Sequence, residues 1–132
     1  MKKKIAVLVI MIVAFSSIYL QWGRHVEVCN SWNKTGNDYC EENMVIIANK
    51  IWICNRKKFG QEMIQKCIDN SFDNIRFSYD LKRPNKLSIK VYTNKVEYWK
   101  GTPAFTVYFK PKGENNKYNI VDNPNKFAMI IE

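Results

Sequence analysis

The chain has 132 residues, 46% apolar and 14% aromatic, with 21 Lys and Arg against 12 Asp and Glu, a net charge of +9. That length holds one modest domain once a leader is set aside, and so rich an apolar content argues against a disordered chain. The single histidine, His25, stands beside the N-terminal apolar run, so the body of the protein has no base for a Ser-His-Asp or Cys-His hydrolase.

Lys2, Lys3 and Lys4 precede an uncharged run from Ile5 to Trp22. A bilayer core takes about 20 apolar residues, and a signal-peptide core about 7 to 15 before a small-residue cut. Ala14-Phe15-Ser16 offers such a cut, but Ile18, Tyr19 and Leu20 continue the run, which favours an uncleaved signal-anchor. Secretion after cleavage near Ser16 is the alternative. Tyr19 and Trp22 suit the headgroup zone, and the three lysines place the N-terminus in the cytoplasm. Residues 1-22 are thus the expected anchor, contacting the membrane through 5-22; 23-38 a polar juxtamembrane linker; and 39-132 a single extracytoplasmic domain of a cell-membrane protein.

Asp38 with Glu41 has the spacing of a capping box, and Phe59, Met63 and Cys67 with Ile64 and Ile68 have helical spacing. Together they predict a long or broken helix over about 40 to 70, with a buried strand as the alternative for Met44 to Cys54. Gly60 weakens that helix or marks a break in it. From Asn74 the period changes to 2. Ile75, Phe77, Tyr79 and Leu81 predict one strand, and Leu87, Ile89 and Val91 its hairpin partner across Lys82-Arg83-Pro84-Asn85. Phe105, Val107 and Phe109 predict a third strand, Tyr118 to Asp122 a short one, and Phe127, Met129 and Ile131 the last. The expected fold is α+β: an N-terminal transmembrane or signal helix, then a helix packed on one face of a three- to five-stranded antiparallel meander sheet. In architecture alone this layout resembles cystatin-type modules; their inhibitory Gln-x-Val-x-Gly loop is absent.

Cys29, Cys40, Cys54 and Cys67 contain no C-x-x-C pair, which argues against zinc or a thioredoxin-like site, so no metal and no cofactor is expected. In an exported domain an even number reads as disulfides, with Cys29 and Cys40 the preferred first pair and four reduced thiols the alternative. Ser31-Trp32-Asn33-Lys34 fits a Ser-x-x-Lys spacing but lies in the expected linker. Asp69, Asp73, Asp80 and Glu97 could furnish a carboxylate pair, though acids at turns and strand edges are more often caps and solvated charges. There is no Gly-rich phosphate loop, and no small-molecule substrate is implied.

Positive charge is uneven: from Glu27 to Ile75 six basic residues face seven acidic ones, whereas from Arg76 to Lys117 ten face three. If the apolar strand positions face the helix, alternation puts Arg76, Lys90, Tyr92, Tyr108 and Lys110 on the other face, a platform of cations and stacking rings. An exported location argues against nucleic acid as its ligand. The expected role is a non-enzymatic, membrane-anchored binding module for a protein or an anionic envelope polymer. The rival is a secreted inhibitor or immunity-type protein acting through the loops at Gly101 to Phe105 or Pro111 to Asn116.

Overall fold

A computed structural model describes residues 1-113 and 117-132. The order of elements is α1 (Lys2–Trp22), β1 (Glu27–Gly36), β2 (Tyr39–Ile47), α2 (Arg56–Asp69), β3 (Lys86–Tyr92), α3 (Lys95–Lys100), β4 (Phe105–Pro111) and β5 (Phe127–Ile131). The strands form one sheet in the order β1-β2-β3-β4-β5. The fold is α+β as expected, but the sheet is mixed. The β2–β3 pair is parallel and the other three pairs are antiparallel.

Two segments depart from the sequence reading for the same reason. Residues 27-36, expected as linker, form edge strand β1, and Asn37-Asp38 are the two-residue turn into β2 rather than a helix start. β2 is apolar on both faces near its end, at Val45, Ile46 and Ile47, and pairs with β1 along one edge and β3 along the other. Tertiary pairing of a β-branched run overrides the local capping signal. Parallel pairing then requires a crossover, and α2 supplies it.

Helix α2 begins at Asn55, whose side chain accepts from the Lys58 amide, and ends at Asn70 in the left-handed conformation. Its buried face of Phe59, Met63, Ile64 and Cys67 covers the inward sheet residues Met44, Ile46, Leu87, Ile89, Val91 and Val107. Gly60 lies inside this helix rather than at a break. A Cβ there would come within 3.1 Å of Met129 Sδ and 3.3 Å of Val107 Cγ2, so the glycine lets helix and sheet approach closely.

Ile75 to Leu81 is not a strand: residues 75-78 are irregular, and residues 79-81 form a turn in which the Leu81 and Lys82 amides donate to the Ser78 carbonyl (3.1 and 3.4 Å). Both edges of β3, its expected hairpin partner, are occupied by β2 and β4, so that ladder is closed to it. Its alternation survives as burial: Ile75 and Phe77 pack against the core, while Arg76, Ser78 and Asp80 face water. Side chains replace the missing ladder. Asn70 donates to the Phe77 carbonyl (2.9 Å) and accepts from its amide (2.7 Å), Asn74 does the same at Val28 (2.7 and 3.2 Å), and the Tyr79 hydroxyl donates to the Cys67 carbonyl. Residues 71-85 thus form a strap across the end of α2 and the β1–β2 hairpin. Tyr118 to Asp122 is likewise a turn rather than a strand, closed by Asn119 Oδ1 accepting from the Val121 and Asp122 amides (3.0 and 2.8 Å). β3, β4 and β5 fall where alternation predicts them.

Helix α1 is long and apolar enough to cross a membrane or to serve as a signal sequence, with a mean hydropathy of 2.2. Its last turn is joined to the domain. Gln21, only 6% exposed, donates to the Trp52 carbonyl (2.8 Å) and accepts from the amides of Ile51 (2.8 Å) and Trp52 (3.2 Å), while Lys50 Nζ donates to the Gln21 carbonyl (3.0 Å).

Candidate functional site

The sheet face opposite α2 carries one continuous row across all five strands: Trp32, Asn43, Ser88, Tyr108 and Ile130 are successive cross-strand partners. Lys90 lies beside this row on one side and Lys86 and Lys110 on the other. Lys86 pairs with Glu41 at 3.6 Å, and Lys110 Nζ lies 4.8 Å from the Tyr108 ring centroid. Among the described residues neither Lys90 nor Lys110 forms an ion pair. Asn43, 9% exposed at the middle of the row, has no hydrogen-bond partner for Nδ2 among the described residues. An unmet buried donor costs about 1–3 kcal/mol.

Of the residues expected on this face, Lys90, Tyr108 and Lys110 lie there and point away from α2. Tyr92 shares the face but is 9% exposed, covered by Tyr98 of α3 in an edge-to-face contact at 5.2 Å, so its ring is not open for stacking. Arg76 is elsewhere. It belongs to the strap, because the strand that would have carried it into the sheet does not form. Trp32 and Asn43 escape the sequence reading because β1 is expected as linker and β2 as helix; Ser88 lies on the polar side of the predicted strand β3 but carries no charge or ring to single it out.

A second feature lies on the opposite face. Between the β1–β2 hairpin and the strap is a cavity of about 490 Å³ bordered by Ser31, Asn33, Thr35, Glu42, Phe77 and Tyr79, with Arg76 and Lys82 also contributing. Glu42 is 6% exposed, and burial pushes its carboxyl up to about 7, opposed by a hydrogen bond from the Ser31 side chain. Burial also raises the Cys40, Cys67 and Tyr79 side chains around it. The signal for Glu42 was present once β2 is a strand: its inward set is Cys40, Glu42, Met44 and Ile46, one acid in an apolar series.

The four cysteines are unpaired, contrary to the disulfide expectation. Cys40 stands opposite Thr35, and Cys29 lies in the bulge beside Val45 and Ile46, so about five residues of β2, roughly 16 Å, separate the preferred pair. A disulfide needs Cα atoms within about 7 Å. Cys67 is fully buried with its sulfur 3.7 Å from Met44 Sδ, and Cys54 is exposed. Ser31 and Lys34 lie on opposite faces of β1, so the Ser-x-x-Lys spacing does not bring them together. The candidate acids are dispersed: Asp69 ends α2 and accepts from Gln65, Asp73 pairs with His25 at 3.1 Å, Asp80 is on the strap, and Glu97 pairs with Lys100 in α3. Of the two loops considered for inhibition, 101-104 is held by the Gly101 cap and by Ala104 donating to Val91, and residues 114-116 of the other lie outside the described residues. The chain matches no protein-family model, no curated protein and no solved structure.

Proposed function

We propose that this chain is a non-enzymatic, single-pass membrane protein whose extracytoplasmic domain binds an anionic polymer of the cell envelope on the sheet face opposite α2. The row from Trp32 to Ile130, bordered by Lys86, Lys90 and Lys110, carries this reading. It joins open aromatic and apolar surface to cations of which, among the described residues, Lys86 alone pairs with an acid. Positive charge of this kind draws a polyanion, and Trp32 and Tyr108 supply faces on which its repeating units stack. The Gln21 contacts support the anchored form. They hold exposed Ile51 and Trp52 at the level of Trp22, where the headgroup zone accepts aromatic rings.

The test uses the full chain in lipid nanodiscs with heparin and poly-glutamate as model polyanions. Lys90→Glu with Lys110→Glu is expected to weaken binding at least tenfold and to flatten its salt dependence, with the thermal melt unchanged because neither side chain belongs to the core. Binding that is unchanged in the double variant discards the reading.

A further inference from the structure

The inward face of the β1–β2 hairpin changes character along its length. At Val28, Met44 and Ile46 it is core. Toward the turn the same face carries Ser31, Asn33, Thr35 and Glu42, and the layer covering it is the strap rather than α2. A nearly buried carboxyl at an inward strand position makes no contribution to packing that an apolar residue would not make at lower cost. The cavity it borders, about 490 Å³, falls within the size range of small-molecule sites.

We propose that this cavity is a binding site for a neutral, polyhydroxylated ligand, a short oligosaccharide. The inference does not depend on the lysines of the sheet face opposite α2, although Trp32 of edge strand β1 borders both that face and this cavity. The chemistry of the lining selects this class by elimination. An apolar ligand would shut water away from the Asn33 amide and from the Glu42 lone pairs that Ser31 does not fill. A small anion would meet the Glu42 carboxyl, and a small cation would meet Arg76 and Lys82. Lys82 is already engaged, donating to the carbonyls of Gly36 (2.9 Å) and Tyr39 (3.0 Å), and so fixes the strap to the hairpin turn instead of offering a free charge. Hydroxyl groups use the whole set, donating to Glu42 and to the Asn33 carbonyl oxygen and accepting from the Asn33 amide and the Arg76 guanidinium. Phe77 and Tyr79, stacked with ring centroids 5.6 Å apart and both half-buried, give an aromatic wall for the C–H face of a sugar ring.

Calorimetric titration of the full chain in nanodiscs with maltotriose, cellotriose and chitotriose tests the proposal. Saturable binding of at least one is expected. Asn33→Ala with Thr35→Ala, both exposed and outside the core, should weaken it at least tenfold. Lys90→Glu with Lys110→Glu should leave it unchanged, so that failure of the polyanion reading is distinguished from failure of this one. If the first pair lowers the thermal melt, Phe77→Tyr and Glu42→Gln provide the second measurement: the former should retain binding and the latter reduce it. No binding of any of the three sugars, binding that survives both Asn33→Ala with Thr35→Ala and Glu42→Gln, or preferential binding of citrate or spermidine overturns the proposal.

Discussion

Phe72→Ala is expected to cost about 3–5 kcal/mol of stability, the usual range for truncating a fully buried aromatic side chain. Phe72 is 1% exposed and is the point at which the strap enters the core. Its ring meets Phe77 edge-to-face at 6.4 Å, and Lys66 Nζ lies 5.8 Å from its centroid. Because residues 75-83 have no strand ladder, removing this ring leaves them held by side-chain ties: the Asn70, Asn74 and Tyr79 hydrogen bonds, Lys82 on the hairpin turn and Arg83 on Asp122. Urea unfolding of the full chain in micelles measures the loss, and hydrogen exchange shows where it acts. Amides of the strap should lose protection before those of β3 and β4. A stability change below about 1 kcal/mol, or uniform loss of protection, would contradict this account of the strap.

The second large effect is a pH dependence. Folding raises the Glu42 carboxyl from its ordinary value of 4.5 to about 7, chiefly through burial. Between those values the folded state holds more protons than the unfolded chain, so stability falls as pH rises through the window and levels off above it. Glu42→Gln should remove that slope and make the protein more stable at pH 8 by about 1–2 kcal/mol, a figure reduced for screening through the cavity mouth. The groups that face Glu42 are Ser31 on β1, Cys40 on β2, Cys67 on α2, and Arg76, Tyr79 and Lys82 on the strap. Burial raises the two thiols and the phenol, so none of them acquires charge in this window. Parallel thermal melts of both proteins from pH 4 to pH 9 isolate the Glu42 contribution, since the surface pair His25–Asp73 is common to both. Identical slopes would mean that the carboxyl is solvated.

The sequence pattern was most legible where one strand face alone is apolar. Leu87, Ile89 and Val91, and likewise Phe105, Val107 and Phe109, alternate with polar residues, and both sets point toward α2. The uniform apolar run of α1 was equally clear. β2 was not, because Val45 and Ile47 make its outward face apolar as well near its end and Asp38 with Glu41 mimics a capping box, so local periodicity points to the wrong structure. The strap shows the converse: Ile75, Phe77 and Tyr79 alternate like a strand, but alternation becomes a hairpin ladder only where the neighbouring strand β3 has an edge to spare, which is a property of the topology. The cavity was invisible for the same reason. Ser31, Asn33 and Glu42 become neighbours only when β1 pairs with β2, and Arg76 and Tyr79 join them only through the strap.

The Gln21 side chain turns a flexible leash into a bracket. With its amide fixed to the backbone at Ile51 and Trp52, the folded part cannot pivot freely about Gly23. On the proposed anchored reading, a partner in the same layer would meet it at one height and one angle, and a reach set by geometry would replace a diffuse search volume.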